Sequence, residues 1–529
     1  MKKRIFAFML AVVCGFIFTA CKNEKAMEKE KNEEDKNSSA SVQTNEKDGK
    51  TQPEPIAVTS ARVYLHEYAE DSFDTLISGR YTVINTHYED KNSYPGLQKA
   101  LEAQNNADKK HQEEFFEEQL EYAKEAYEST YEVFNPYEVN LDAYVRRADT
   151  LVTSILYNSF YYSGGMHGSS YFYGKNYDTA TGKVLKLDDV VKDKDKLCKA
   201  IEEELERCYP YHSFDNGNSV EEILEDEELY SWTLDYNGIT FYFPEYSLSN
   251  YNNDMQIVTV TYENNKDALK EKYTPIPKAF GVGLTSDSPF YFDVTGDGEA
   301  DKIWYAAYAS DYSSDGELNI YINDDNQYIM ENWFFNADAT FLHTADGKNY
   351  IYVEFIQEND YRETYCYEIT DEVYLIDKVN GGARRYYDES YTGHADVITN
   401  PESFYLERIT HHLSTGQGYK EYRVGANGLP KSDDKIFKFG KNMTEFTMLT
   451  SLEAKVYDEK KDKVTNDTKK LKKGETVFYY GTDNEKLGYL MTEDGEVLQV
   501  ETTHDEDNFL YKIDEISIEE IFDGVFYAG

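Results

Sequence analysis

The sequence predicts a mixed α+β domain, then an all-β region and finally a small β-barrel. Residues 58–282 contain strand-like alternation and amphipathic helical stripes, without a strict strand-helix-strand rhythm. Residues 283–445 contain strand-sized apolar runs separated by Asp, Gly and Asn turns, the spacing of a β-sandwich or of propeller-like blades. Residues 446–529 contain a shorter set of strands of the same kind.

The N-terminus has the organisation of an export signal. Basic residues at positions 2–4 precede an apolar segment over residues 5–18, and two small residues precede Cys21. The apolar segment is shorter than the ~20 residues that cross a bilayer, so residues 1–21 are predicted to be a signal peptide. Its end resembles a lipobox, with Phe18 where Leu is usual, which implies lipidation of Cys21. The alternative is an ordinary secretory signal in which Cys21 has no role.

The segment that follows is too polar to fold. Residues 22–57 consist almost entirely of Lys, Glu, Asn, Asp, Ser, Gln and Thr, and such a segment buries too little apolar surface to offset the entropy of ordering. We expect a disordered tether. No later segment is apolar and long enough to span a membrane, so the sequence predicts an extracytoplasmic protein anchored to the cell membrane by lipid alone.

Acidic residues dominate the chain. It has 100 Asp and Glu against 54 Lys and Arg, which gives a formal net charge of −46. Such a chain repels nucleic acid and anionic headgroups, and it attracts cationic partners such as basic proteins or calcium. The alternative is that acidity only keeps an exported protein soluble. The 49 tyrosines suit half-buried strands, and they also suit binding surfaces.

One helix and the cysteines are predicted from spacing. An apolar stripe at spacings of four, three and four predicts an amphipathic helix over the segment that contains Phe116 and Tyr127. Cys198 and Cys208 lie on one predicted helix face, where ten residues separate their sulfurs by about 15 Å, too far for a disulfide. Together with Cys366 they are expected to be buried thiols.

A glycine-rich turn separates two predicted aromatic strands, over residues 140–162 and 169–177. The turn consists of Gly164, Gly165, Met166, His167 and Gly168. The segment DTATGKVLKLD follows at residues 178–188. This combination resembles the extracytoplasmic domain shared by the anti-sigma factor RsiV and the N-terminal part of the peptidoglycan deacetylase PdaC. The resemblance covers residues 58–275, with Met166 at the usual Ala position, and it makes the predicted α+β domain RsiV-like.

The turn residues have physical reasons of their own. A tight connection between strands requires positive φ angles, which Gly adopts without a steric clash. His167 is either a ligand contact, a group sensitive to pH near neutrality, or a side chain that only bonds the local backbone. The resemblance implies that Gly164, Gly165, His167 and Gly168 belong to a binding site.

The family resemblance implies binding rather than catalysis. RsiV-like proteins bind a lysozyme outside the membrane, and lysozymes of that type are basic, which suits an acidic chain. RsiV-like anti-sigma factors also have a cytoplasmic segment and a membrane span, and we expect neither here. PdaC-like deacetylases combine an Asp-Asp pair with a His-x-x-x-His metal site. No His-x-x-x-His motif occurs in the sequence, so that activity is not implied.

The segment DVTGDGEAD resembles the calcium loops found in β-hairpins of integrin-type repeats. Its oxygen-bearing residues stand at loop positions 1, 3, 5, 7 and 9, with Gly298 at the sharp turn, and this spacing suits Ca²⁺. The predicted ligands are Asp293, Thr295, Asp297, Glu299 and Asp301. Trp304 occupies position 12, so the loop is not an EF-hand. The alternative is a plain Asp-Gly hairpin turn.

The C-terminal segment resembles a bacterial SH3-like domain. The cues are Ala454 to Tyr457, Leu471 to Glu475 and Gly488 to Leu490. Domains of this type often bind peptide cross-bridges of the cell wall. A generic small β-barrel is the alternative.

The sequence predicts that the protein is not an enzyme. It has no nucleophile elbow, HExxH, paired CxxC, P-loop or GxGxxG in a usable context. We therefore expect a cell-envelope lipoprotein with a non-enzymatic binding role. Its predicted partner is a basic protein of the lysozyme type or peptidoglycan, and calcium is the only expected cofactor. The alternatives are a cell-wall-modifying hydrolase and a structural envelope protein.

Overall fold

The structure is a computed structural model. It describes residues 52–70, 72–87, 93–129, 133–211, 218–248, 255–285, 288–310, 314–323, 325–387, 393–505 and 510–527. The predicted signal peptide, Cys21 and the tether up to residue 51 lie outside these residues. The prediction of a disordered tether is wrong for its last residues, because Ile56 is buried and its N–H donates to the carbonyl oxygen of Ala148 at 3.1 Å. Within the described part of the chain, no helix has both the length and the apolar character that a membrane span requires.

The N-terminal half combines strands with all but one of the described α-helices. In chain order its elements are β1 (Val58–Tyr68), β2 (Thr75–Thr86), α1 (Pro95–Ser129), β3 (Tyr137–Ala148), β4 (Val152–Tyr162), β5 (Ser169–Asp178), α2 (Leu187–Val190), α3 (Lys194–Cys208), α4 (Val220–Leu224), β6 (Ser231–Leu234), β7 (Gly238–Phe243), β8 (Gln256–Thr261) and β9 (Phe280–Leu284).

The second half of the chain is almost entirely β. Its elements up to residue 411 are β10 (Phe290–Phe292), β11 (Asp301–Tyr308), β12 (Gly316–Ile322), β13 (Asp325–Asn332), β14 (Asn336–His343), β15 (Asn349–Ile356), β16 (Arg362–Ile369), β17 (Val373–Asn380), β18 (Gly382–Ala383), β19 (Arg385–Tyr387), β20 (Gly393–Val397) and β21 (Phe404–His411).

The remaining elements are strands of two to ten residues and one helical turn. They are β22 (Thr415–Val424), β23 (Pro430–Lys431), β24 (Phe437–Lys438), β25 (Thr444–Met448), β26 (Leu452–Asp458), β27 (Lys463–Leu471), β28 (Thr476–Thr482), β29 (Leu487–Thr492), β30 (Val497–Glu501), β31 (Thr503–Asp505), β32 (Leu510–Ile513), β33 (Ile516–Ser517), α5 (Ile518–Ile521) and β34 (Phe522–Asp523). Three-residue 3₁₀ helices occur at Glu358–Asp360, Gly440–Asn442 and Glu459–Lys461.

The protein is mostly β, and its described strands form several open sheets. The first has seven strands in the order β19-β20-β1-β2-β3-β4-β5, and β2 and β3 within it run parallel. A five-stranded sheet (β17-β16-β15-β14-β9) and a four-stranded sheet (β10-β11-β12-β13) follow. The small sheets are β6-β7-β8 and β31-β32-β33.

Most of the C-terminal strands join the largest sheet instead of closing on themselves. Its main path is β18-β21-β22-β24-β28-β29-β30-β26-β27, with β23, β25 and β34 paired at its sides. No sheet closes into a barrel among the strands that the structure describes. The prediction of a β-barrel over residues 446–529 is therefore wrong in that respect, because β24, from the preceding segment, pairs with β28 and extends the sheet.

Strand pairing also crosses the first predicted boundary. Strand β20 pairs antiparallel with β1, where Val397 lies opposite Val58. Residues more than 330 positions apart in sequence thus share one sheet. The division of the chain into domains over residues 58–282, 283–445 and 446–529 stays a prediction.

The predicted strand over residues 140–162 is in fact two strands, β3 and β4, which form a hairpin. The chain turns at Asp149, whose carboxylate accepts hydrogen bonds from the backbone N–H groups of Leu151 (2.8 Å) and Val152 (2.9 Å). The side chain of Arg147 donates to the same carboxylate at 2.6 Å. An Asp that bonds the backbone two and three residues ahead is a local turn signal, which the apolar pattern around it conceals.

Helix α1 covers one face of the first sheet. Its predicted apolar stripe is confirmed: Phe116, Leu120 and Ala123 are buried against Ile77 on β2 and Val139 on β3. Pro95 stands at the first helical position, where its fixed φ angle suits a helix start and its missing N–H is not needed. The opposite face of this sheet points away from α1.

The five-stranded and four-stranded sheets share one apolar core. Phe341 on β14 and Val353 and Phe355 on β15 pack with Leu318 and Ile320 on β12, and all five are fully buried. This is the face-to-face packing of the sandwich alternative.

Candidate functional site

The glycine-rich turn forms the tip of the β4–β5 hairpin. Gly164 has a φ of +74°, so it requires glycine for the reason that the sequence predicts. Gly168 requires glycine for a different reason, since a Cβ there would lie 2.4 Å from the ring of Phe160. Gly165 has open space around it, with no atom within 4 Å of an added Cβ.

The tip presents side chains to solvent rather than enclosing a ligand. Met166 is fully exposed and His167 is exposed. The Nδ1 atom of His167 lies 3.2 Å from the carbonyl oxygen of Gly168, which fits the alternative of a local backbone bond. The hydroxyl of Tyr162 donates to the carbonyl oxygen of Gly165 at 2.9 Å and steadies the turn.

The DTATGK segment is a structural turn beside this hairpin. The carboxylate of Asp178 accepts hydrogen bonds from the Thr181 hydroxyl (2.8 Å), the Lys272 ammonium (2.9 Å) and the Tyr273 hydroxyl (3.0 Å). Burial raises the pKa of Asp178, but these donors outweigh it and hold the pKa below its ordinary value. The residues that carry the family resemblance here stabilise the fold.

The Asp-Gly loop between β10 and β11 closes on its own backbone. Asp293 accepts from the N–H groups of Gly296 (2.6 Å) and Gly298 (3.0 Å). Asp301 is buried, and its Oδ2 atom accepts from the N–H groups of Val294 (3.0 Å) and Thr295 (3.1 Å). These bonds are those of the hairpin-turn alternative.

The predicted calcium ligands do not converge on one point in this conformation. Asp297 accepts from the backbone N–H of Glu299 at 2.9 Å, and the Thr295 hydroxyl donates to Asp301 at 3.1 Å. Four of the five predicted residues therefore use their side-chain oxygens within the loop. No group of three or more His, Cys, Asp or Glu side chains suited to a metal ion occurs among the residues that the structure describes. Calcium binding by this loop stays a prediction.

The sequence did not predict a cleft that lies between two of the sheets. Two adjoining cavities of about 560 and 630 Å³ lie between the first sheet and the five-stranded sheet. We call this space the inter-sheet cleft. Both cavities are lined by Arg62, Tyr64, Tyr144, Asn336, Asp338 and Arg385.

One wall of the inter-sheet cleft is the face of the first sheet that α1 does not cover. Tyr64 on β1 lies directly opposite Arg80 on β2, and Arg62 lies two positions before Tyr64 on the same face. The guanidinium of Arg80 donates to both oxygens of Asp142, at 2.8 Å each. This wall therefore carries paired charges and an aromatic ring.

The other wall is the face of the five-stranded sheet that points away from the apolar core. Asp338 on β14 lies opposite Glu354 on β15, whereas the flanking Ala337 and Ala339 belong to the core. Arg62 reaches across the cleft to Asp338, with a distance of 3.0 Å between Nη2 and Oδ1. Within this pair, the carboxylate of Asp338 raises the pKa of Arg62, so the guanidinium stays protonated at every accessible pH.

Residues 187–263 match the DUF3298 family, whose description is "Protein of unknown function (DUF3298)". They run from α2 to β8 and form a DUF3298 domain, which excludes the glycine-rich turn and the inter-sheet cleft. A search of curated proteins finds no match to the chain.

Two solved structures from the DUF3298 family are similar to this chain. One, from Bacteroides fragilis NCTC 9343, is 17% identical, with a TM-score of 0.31 over 41% of this chain and 94% of that chain. The other, from Pseudomonas aeruginosa PAO1, is 15% identical, with a TM-score of 0.28 over 42% of this chain and 99% of that chain. The finer resemblance to the RsiV and PdaC domain stays a prediction.

Proposed function

We propose that the protein is a lipid-anchored, non-enzymatic binding protein of the bacterial cell envelope, whose partner is a basic protein of the lysozyme type. The observation that supports this most directly is the exposed tip of the β4–β5 hairpin. There the glycine-rich turn carries a fully exposed Met166 and an exposed His167. Met is enriched at protein–protein interfaces relative to the rest of the protein surface, so an exposed Met at a hairpin tip supports a contact with a protein partner.

The charge of the chain suits such a partner. A net charge of −46 attracts a basic protein over long range and raises the rate of encounter. The exposed tip then supplies the short-range contact that a long-range field cannot supply. The lipid anchor at Cys21 and the tether over residues 22–57, both predicted from the sequence, place this surface outside the membrane.

The test is a pull-down of the full-length chain with a basic lysozyme and with purified peptidoglycan, at low and at physiological salt. Lysozyme that is retained at physiological salt supports the proposal. Retention only at low salt contradicts it, because screened attraction to an acidic surface is then sufficient. Retention of peptidoglycan alone favours the second candidate partner instead.

Point variants locate the contact. Met166→Asp and His167→Ala change exposed side chains, so they leave the fold intact and are expected to weaken lysozyme binding by at least about tenfold. Phe73→Ala is the matched control, because Phe73 is 97% exposed in the turn of another hairpin. Equal loss in the control and in the tip variants would contradict a specific contact at the tip.

Two alternatives remain as outcomes of the same assay. Release of soluble wall fragments by the pure protein would favour a wall-modifying hydrolase. Binding to neither target, combined with an altered envelope when the protein is lost, would favour a structural role.

A further inference from the structure

We propose that the inter-sheet cleft binds an uncharged oligosaccharide. The residues that line the cleft do not include those of the β4–β5 hairpin tip. Binding in the cleft is therefore independent of the partner proposed for the tip. It rests on the shape of the cleft, its exposed aromatic rings and its balanced charges.

The cleft exists because two sheets face each other with their polar sides. Packed sheets normally interdigitate apolar side chains at a separation of about 10 Å and leave no space. Here the first sheet buries its apolar face against α1, and the five-stranded sheet buries its own against β10–β13. The faces that remain carry Arg62, Arg80 and Asp338. The Arg62–Asp338 ion pair links the two sheets across the gap, whereas Arg80 pairs with Asp142 within the first sheet.

The shape suits a chain of several sugar units. The two cavities adjoin and share part of their lining, so the cleft is elongated, and each cavity has the volume of a small-molecule site. Gly283 lies on the floor of the first cavity, and an added Cβ there would meet no atom within 4 Å. Space is therefore available along the length of the cleft.

Aromatic rings stand at its mouth. Tyr64 is 70% exposed and Phe335 is 49% exposed, and both line the second cavity. When a ligand covers two large exposed rings beside a cavity, water is released from their apolar surface, and this release favours binding. The flat, apolar C–H faces of a sugar ring are matched to this surface.

The polar groups between the rings both donate and accept hydrogen bonds. Arg80 is paired with Asp142 and Arg62 with Asp338, and the carboxylate of Asp338 remains 47% exposed. Asn336 donates to Asp338 at 3.3 Å and adds an amide to the same patch. Sugar hydroxyls require neighbouring donors and acceptors of this kind, and bidentate guanidinium and carboxylate groups provide them.

The same charges disfavour an anionic ligand. Arg62 and Arg80 each have a carboxylate partner within 3.0 Å, so neither contributes an unopposed positive charge. The chain as a whole carries −46, which repels phosphates and acidic sugars. An apolar ligand is disfavoured as well, because it would displace water from these polar groups without offering hydrogen bonds of its own.

The test is isothermal titration of the full-length chain with four probes: the tetramer of N-acetylglucosamine, cellotetraose, glucose and trigalacturonate. The proposal expects saturable binding of at least one neutral tetramer, with glucose and trigalacturonate binding at least about tenfold more weakly. Absence of binding by both neutral tetramers, or preference for trigalacturonate, would overturn it.

Variants then assign the binding to the cleft. Tyr64→Ala and Phe335→Ala are expected to raise the Kd for the tetramer by at least about tenfold, whereas Tyr64→Phe keeps the ring and stays within about threefold of wild type. Gly283→Leu fills the floor and should also abolish binding. Tyr68→Ala is the control, because Tyr68 is half exposed on the same strand but does not line the cleft. Tetramer binding that survives Tyr64→Ala, Phe335→Ala and Gly283→Leu would overturn the assignment.

Two controls keep the result interpretable. Each variant is compared with wild type by thermal unfolding, and the conclusion rests on variants with an unchanged Tm; Tyr64→Ala alone suffices because its side chain is mostly in solvent. Gly165→Ala, in the hairpin tip, should leave sugar binding unchanged. Loss of lysozyme binding with retained sugar binding, or the reverse, separates this proposal from the proposed function.

Discussion

Gly96 at the start of α1 and Gly182 in the turn after β5 lie with their backbones in direct contact. A Cβ added to Gly182 would stand 2.1 Å from the carbonyl oxygen of Gly96, and one added to Gly96 would stand 2.4 Å from the carbonyl oxygen of Thr181. Gly182 also has a φ of +71°. This contact joins the helix that covers the first sheet to the turn that follows its last strand.

Gly182→Ala is therefore expected to destabilise the protein strongly. The added methyl group meets rigid backbone and the residue is held at positive φ, which together cost about 2–4 kcal/mol of unfolding free energy. Urea unfolding followed by circular dichroism measures the change. Gly165→Ala is the matched control, because open space surrounds it and it should shift the midpoint little. Equal stability of the two variants would contradict the role of the Gly96–Gly182 contact.

Sequence periodicity was sufficient to predict α1 because its signal is local. Phe116, Leu120 and Ala123 recur at helical spacing and all three are buried as predicted. The turn at Asp149 was missed although its signal is also local, since the apolar residues on both sides read as one continuous strand. The apolar pattern on both sides of Asp149 was given more weight than its tendency to form a turn, so one long strand was predicted where the structure has two.

The inter-sheet cleft could not be predicted in the same way. Its central ion pair joins Arg62 to Asp338, which are 276 positions apart, and neither residue has a distinctive local pattern. Both residues lie on strands in which polar and apolar residues alternate, and this pattern predicts that both side chains face solvent. Which faces of the two sheets oppose each other depends on long-range pairings such as that of β20 with β1, and no local pattern encodes it.

The loop between β10 and β11 gives the second prediction. Asp301→Ala removes the acceptor of the Val294 and Thr295 N–H groups and of the Asn323 side chain, so we expect a loss of about 1–3 kcal/mol whether or not calcium binds. Thermal unfolding measures this loss. A stability equal to wild type would show that the loop does not depend on Asp301.

Calcium binding by this loop is tested separately. Bound calcium stabilises the folded state, so a chelator is expected to lower the Tm of the wild-type protein and added calcium to restore it. Asp297→Asn is the informative variant, since its amide oxygen can still accept the Glu299 N–H while the charge is lost. It should reduce the response to the chelator. An unchanged wild-type Tm in chelator would contradict the calcium prediction.

The thiols give the fourth prediction. Cys198, Cys208 and Cys366 are free, as expected, but Cys198 and Cys208 are only partly buried, and Cys366 alone is fully buried. Burial raises the pKa of the Cys366 thiol well above its ordinary value and raises that of Cys198. Cys366 should react with iodoacetamide at least about a hundredfold more slowly than Cys198 or Cys208 in the folded protein, as peptide mapping by mass spectrometry can show. Equal rates in urea are the control, and equal rates in native buffer would contradict the burial of Cys366.

The last prediction concerns a buried acid on α1. Asp108 is 6% exposed, its Oδ1 atom accepts from Gln104 (2.8 Å) and Tyr173 (3.3 Å), and its Oδ2 atom has no hydrogen-bond partner among the described residues. Burial raises the pKa of Asp108 from 3.8 to about 6. The folded protein therefore keeps a proton on Asp108 up to about pH 6, whereas the unfolded chain releases it near pH 4.

The sign of the pH effect follows from that difference. Between about pH 4 and pH 6 the folded state binds more protons than the unfolded state, so the contribution of Asp108 to stability is fully present below pH 4 and declines as pH rises to 6. In Asp108→Asn this decline is absent, and the unfolding free energy of the variant relative to wild type should increase by about 2–3 kcal/mol between pH 4 and pH 7. Urea unfolding across this range measures it, with Glu117→Gln on the exposed face of α1 as the control. A difference between Asp108→Asn and wild type that is the same at pH 4 and pH 7 would show that Asp108 titrates alike in the folded and unfolded states.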